Sequence, residues 1–174
     1  FVLSAPVAVV LAALLGVVIG LPALRLTGIY LSIATLAFGF IVEEVMARWE
    51  SMTGGSAGML VPDVNLAGFK LEGDHAFYYL CLACVILVAL ATFNLLRSPT
   101  GRAFIAIRDS EVSAQSMGVS LSRYKTLSFG ISAGITGLAG ALYAHQIKFL
   151  SPEQFTLFVS IEFLMMIVIG GMGS

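Results

Sequence analysis

The amino-acid sequence predicts an all-α polytopic membrane protein with about five transmembrane helices and one short helix in a polar loop. Three observations predict it. The 174 residues are 59% hydrophobic and 11% charged, with a mean hydropathy of +0.99, whereas a soluble domain carries about 25% charged residues. The apolar residues gather into runs of about 20, the length that crosses the hydrocarbon at 1.5 Å rise per residue. The basic residues gather too. Of nine Lys and Arg, five fall between 97 and 125: Arg97, Arg102, Arg108, Arg123 and Lys125, opposed there only by Asp109 and Glu111. Basic loops beside spans resist translocation, so 97–125 is assigned to the cytoplasmic side and orients the rest.

Taken in order, residues 1–174 read as a single transmembrane domain. The first span is 2–24, with Pro22 at its kink or end, and Arg25 marks a cytoplasmic connection. The second span, 29–47, carries Glu43 and Glu44 near its far end. Trp49 suits an interfacial belt there, and Arg48 stands four residues after Glu44, in reach of a helix-surface pair. The outer loop 50–76 is rich in turn residues and acidic in balance, with a short strand-like cap expected between 59 and 71. The third span, 77–96, enters through Phe77, Tyr78 and Tyr79; the fourth is 126–146. Ser151-Pro152 starts the next outer element, and the fifth span is 156–170. Both ends read as cut, so a fragment of a longer protein is expected. An N-terminal basic region of the kind that opens a signal peptide is missing before the first run.

Several function classes are excluded. A net charge of −1 offers no bulk attraction to nucleic acid. No catalytic residue, metal site or cofactor is assigned: P-loop, nucleophile-elbow and zinc-protease motifs are missing, and His75 and His145 are far apart and have no ligand partner three or four residues further on. Cys81 and Cys84 form a C-x-x-C inside an apolar run, where thiols act as small hydrophobes.

The polar loop carries most of the information. Ser98-Pro99 reads as the cap and first-turn proline of a helix over 99–108. Ala103, Phe104 and Ile107 share one face of that helix. Asp109 or Ser110 can cap a second short helix over about 110–117, with Glu111 at its dipole-favoured end. Gly118 can close it in the left-handed conformation. In the fourth span, Gly130, Gly134, Gly137 and Gly140 lie on stripes of small residues that let helix backbones approach closely. Glu162, about a turn into the fifth span, lacks a basic neighbour in sequence and is a candidate for a polar cavity or a partner helix. Glu43 and Glu44 are expected at the interface, solvated or paired with Arg48.

Three strings then become recognisable: Thr100-Gly-Arg-Ala-Phe-Ile-Ala-Ile-Arg-Asp-Ser-Glu-Val-Ser-Ala-Gln-Ser-Met-Gly-Val119, Tyr124-Lys-Thr-Leu-Ser-Phe129, and Gly137-Leu-Ala-Gly-Ala-Leu-Tyr143. With Thr27-Gly-Ile-Tyr-Leu31, Thr53-Gly-Gly-Ser56 and Gly170-Gly-Met-Gly-Ser174, they resemble the permease subunits of bacterial branched-chain amino acid ABC transporters, the larger of the pair in particular. The resemblance covers nearly the whole chain. It implies a multi-pass inner-membrane importer subunit, set in lipid, that hydrolyses no ATP itself. Implied partners are a second permease, two ABC ATPases, a periplasmic substrate-binding protein and an amino-acid substrate. The ATPase-docking motif of such permeases, E-A-A-x-x-x-G, falls on 112–118 and keeps only Ala114 and Gly118. The resemblance therefore implies ATPase coupling through Arg108, Asp109, Glu111, Ser113, Ala114, Met117 and Gly118. It also implies a binding-protein-facing loop at Thr53, Gly54, Gly55 and Ser56; the fourth-span glycines and Glu162 stay candidates for packing or a pathway on their spacing alone. Rival readings are an ion-coupled secondary transporter, which would need paired intramembrane carboxylates or broken helices, and a non-transporting membrane scaffold.

Overall fold

The computed structural model describes residues 3–23, 29–62, 65–66, 69–70 and 74–171. It is an all-α membrane architecture. The long helices are α1 (Ser4–Ala23), α2 (Ile29–Arg48), α4 (Asp74–Arg97) and α7 (Leu121–Ile147). The shorter ones are α3 (Glu50–Thr53), α5 (Pro99–Asp109), α6 (Glu111–Ser116) and α8 (Leu157–Ile169). Among the described residues, four stretches are long and apolar enough to cross a membrane: Ser4–Leu21, His75–Arg97, Leu121–Ile147 and Pro152–Ile169. α2 covers the remaining expected span with 20 residues. The side chains at 29, 31 and 32 and the connection 24–28, with Arg25, lie outside the described residues. Large apolar side chains along α1, α4 and α8 are exposed, as they must be where the solvent is lipid.

Two compact units divide the chain. The first comprises Phe1–Leu26 and Asp63–His145. Its centre is the packing of α1 against α7, set by small residues on both. A Cβ placed on Gly137 would lie 2.6 Å from the Ala12 Cβ and 2.8 Å from the Ala8 carbonyl oxygen; one on Gly16 would lie 2.7 Å from the Phe129 carbonyl oxygen. Only glycine admits this approach, the means by which membrane helices associate without a hydrophobic driving force. Gly130 meets Val17, and Gly134 meets Ala13 and Val9. Gly140, expected in the same stripe set, faces open space instead. The 3.6-residue turn carries it off the face that Gly130, Gly134 and Gly137 share.

The second unit comprises Thr27–Pro62 and Gln146–Ser174. The cap expected over 59–71 divides differently. β1 (Met59–Leu60) pairs antiparallel with β4 (Phe149–Leu150), extended by the Val61 N–H donating to the Lys148 carbonyl at 2.9 Å. The local two-stranded piece is β2 (Asn65–Leu66) with β3 (Phe69–Lys70), which belongs to the first unit. Nothing near residue 59 in sequence signals a partner some 90 positions away.

Helix boundaries follow local chemistry. α7 begins at Leu121, five residues before the expected start of its span, so Arg123 and Lys125 are helical. Both are good helix formers, and helix propensity does not stop where the hydrocarbon does. α4 likewise begins at Asp74 rather than 77.

Candidate functional site

The polar segment folds as two capped helices. At the end of α4, the Arg97 guanidinium lies 4.0 Å from the centre of the Phe93 ring. Ser98 then ends one helix and starts the next: its Oγ donates to the Leu95 carbonyl at 2.6 Å and accepts from the Gly101 N–H at 3.3 Å, with Pro99 in the first turn of α5. Gly101 lets the corner close, since a Cβ there would run into the backbone of Leu95 and Leu96. On α5, Ala103 is buried, and Phe104 meets Tyr124 of α7 edge-on at 6.1 Å between ring centres.

Ser110, one of the two expected caps, accepts from the Ser113 N–H at 3.2 Å and starts α6. Gly118 ends it at φ +84°. The Gly118 N–H donates to the Gln115 carbonyl and the Val119 N–H to that of Ala114, the paired bonds of a Schellman close. Glu111 reaches back to Lys125 of α7 at 2.7 Å, and Arg108 pairs with its neighbour Asp109 at 3.2 Å. This six-residue helix is therefore held at both ends and by one side chain. Ala114 is 2% exposed while Val112 is 77% and Met117 is 84% exposed. The two alanine positions of the motif thus part company: Ala114 packs inward and positions the helix while Ser113 is exposed, and the apolar side chains that face outward are Val112 and Met117 on either side of it. Of these two, Met117 is among the residues expected here; Val112 is not. Replacing Ser110 by alanine removes the only side-chain cap of α6 and is expected to cost about 1 kcal/mol of local stability. Amide hydrogen exchange should show it as faster exchange at 113–116 with α5 unchanged.

Thr53-Gly-Gly-Ser56 also has a defined geometry. The Thr53 Oγ1 lies 2.6 Å from the Met46 carbonyl and 2.8 Å from that of Trp49, and accepts from the Gly55 N–H at 3.2 Å. It fastens the turn to the end of α2. Gly54 and Gly58 have φ of +73°, and a Cβ on Gly58 would press on the Leu150 carbonyl of β4. The backbone of Ser56 sits in the 3-10 turn Gly55–Ala57.

The carboxylates sort themselves. Glu44 is bonded to Arg48, both exposed, as the spacing predicts. Glu162 lies exposed on α8, between exposed Phe158 and Met166. Glu43 departs from expectation. It is half-buried and lines a small cleft with Thr35, Gly39, Phe155, Leu157 and Ser160. The signal was present in the sequence, since Thr35, Gly39 and Glu43 are spaced by four and share a helix face. The two cysteines are free thiols, and no group of His, Cys, Asp and Glu suited to a metal occurs among the described residues.

Comparison with known proteins covers the whole chain. The family model described as branched-chain amino acid transport system / permease component matches residues 1–174. The chain is 37% identical over 193 residues to the high-affinity branched-chain amino acid transport system permease protein LivM of Escherichia coli K12, covering 97% of this chain and 45% of that protein. It is 28% identical over 172 residues to the probable branched-chain amino acid transport permease protein LivM of Methanocaldococcus jannaschii, covering 96% and 50%. It is also 28% identical over 176 residues to the autoinducer 2 import system permease protein LsrC of Escherichia coli O9:H4, covering 97% and 48%. The chain spans about half the length of the curated relatives it matches. No solved structure matches it significantly.

Proposed function

The chain belongs to the permease component family of branched-chain amino acid transport systems, and from that premise we propose that it forms part of the membrane pathway of an ATP-driven importer for branched-chain or related amino acids. It works in the inner membrane with a second permease, two ATPases and a periplasmic binding protein. Segment 97–125 lies on the cytoplasmic side, where its excess of Lys and Arg belongs, and the loop carrying Thr53–Ser56 lies outside, within reach of the binding protein.

The observation that carries this reading is α6. A six-residue helix capped by Ser110 and closed by Gly118 sets two large apolar side chains, Val112 and Met117, outward from a polar surface. Exposed apolar side chains on a rigid polar element suit a groove in a soluble partner. Closure of the ATPase pair on ATP would displace α6, and the capped corner at Ser98 would pass that displacement to α4 as a rigid-body movement. Amino-acid cargo is favoured over autoinducer 2 by the higher identity to the LivM relative than to LsrC.

The test is purification of the full-length protein from mild detergent, followed by reconstitution. Co-purification of a P-loop ATPase and a second permease, with leucine uptake that needs ATP, is expected. Uptake by the protein alone, independent of ATP and abolished by an ionophore, would sink the proposal in favour of ion-coupled transport.

A further inference from the structure

Within the second unit, α2, Phe155 and the first turn of α8 border an open cleft of about 70 Å³. That is several times the volume one water needs. From α2 it is lined by Thr35, Gly39 and Glu43, one above another; from the other side come Phe155, Leu157 and Ser160. Three features set it apart from the wholly apolar hollows of the first unit, which are lined by Val, Ala, Leu, Ile and Gly with Cys84 at one edge. It contains a carboxylate, half-buried. That carboxylate makes no ion pair among the described residues, where Arg48 pairs with Glu44. And its middle is kept open by a glycine: a Cβ on Gly39 would meet nothing within 4 Å.

A carboxylate inside a membrane helix is costly to keep charged, and such residues mark substrate or ion pathways. The chemistry that answers a single carboxylate beside hydroxyls, with apolar and aromatic side chains around, is an ammonium group on a small aliphatic molecule. We propose that Glu43 receives the α-ammonium group of the amino acid in transit, with the Ser160 hydroxyl beside it, and that the space above Gly39 takes part of its aliphatic side chain. The proposal rests on the transport reading above and deepens it. It places a recognition point in the membrane subunit, about 8 Å along α2 from Arg48, near the outer end of the path. Specificity is then read twice, once in the binding protein and once in the membrane.

The test uses the full-length permease with its partner permease, ATPases and binding protein in proteoliposomes. The measurement is labelled leucine imported per ATP hydrolysed. E43Q, which keeps the shape and removes the charge, is expected to lower that ratio about tenfold, the loss typical of one charge-assisted hydrogen bond. E43D should recover part of it. G39L, whose Cβ meets nothing within 4 Å and whose further carbons enter the cleft, should lower it similarly. A ratio within twofold of wild type in both E43Q and G39L overturns the proposal. So does uptake that requires sodium in the wild type and loses that requirement in E43Q, which would make the cleft a cation site. A wild-type complex with no ATP-dependent uptake overturns instead the transport reading beneath it.

Discussion

Replacing Gly137 by leucine is expected to separate α1 from α7 and to lower the apparent Tm of the protein in detergent by about 5 °C or more. The reason is geometric. Even the first added carbon would sit 2.6 Å from the Ala12 Cβ and 2.8 Å from the Ala8 carbonyl oxygen. Neither neighbour can turn aside, because one is a methyl fixed to the backbone and the other is the backbone itself. The three further carbons of leucine would have to enter a helix–helix seam whose other members are Gly130 and Gly134. Overpacking of this kind costs about 1–3 kcal/mol in a well-packed core. Gly140→Leu on the same helix provides the comparison: its Cβ meets nothing within 4 Å, and its Tm should match the wild type. Equal Tm values for the two variants would show that α1 and α7 do not pack through this face.

The second large effect concerns α6. A V112E/M117E double substitution places two carboxylates where 77% and 84% exposed apolar side chains stand. It should leave the helix folded, since neither side chain packs inside the chain and Met117, the C-cap, takes part through its backbone N–H alone. Uptake driven by the ATPases should nonetheless fall by about tenfold or more, the scale for losing interface anchors of at least 1–2 kcal/mol each. Binding of the ATPase to the detergent-solubilised permease, followed by co-purification, checks it. Retained co-purification and uptake would remove α6 from the docking role. Ala114→Arg is a poorer probe than its place in the motif suggests: at 2% exposure, a guanidinium there disturbs the packing of the helix pair itself, so loss of uptake would not separate docking from folding.

What the sequence made legible was whatever is decided within a few residues. Apolar run length placed the long helices, and the caps at Ser98 and Ser110 and the left-handed close at Gly118 were readable because a cap is made by a side chain and the N–H groups just beyond it. The Glu44–Arg48 pair was readable for the same reason. What stayed hidden depends on elements far apart in the chain. Met59–Leu60 carries no mark of its pairing with Phe149–Leu150. Gly140 obeys the same small-residue spacing as Gly137, and only the path of α1 tells them apart. Ala114 and Met117 sit in one short motif, yet one is buried and the other exposed. In sequence Glu43 reads as an interfacial twin of Glu44, because the cleft that distinguishes them is completed by Phe155, Leu157 and Ser160.

The division of the chain into two discontinuous units has a consequence for how the protein is made. α1 leaves the ribosome before α7, yet the groove that receives its Gly16 belongs to α7, more than 100 residues later. At 5–20 residues per second, that is a delay on the order of 10 s. During it, the small-residue face of α1 is in the membrane without its partner, open to lipid, to the insertion machinery or to a second nascent chain. Assembly therefore has an obligatory late step, in which a helix already inserted is collected by one arriving afterwards.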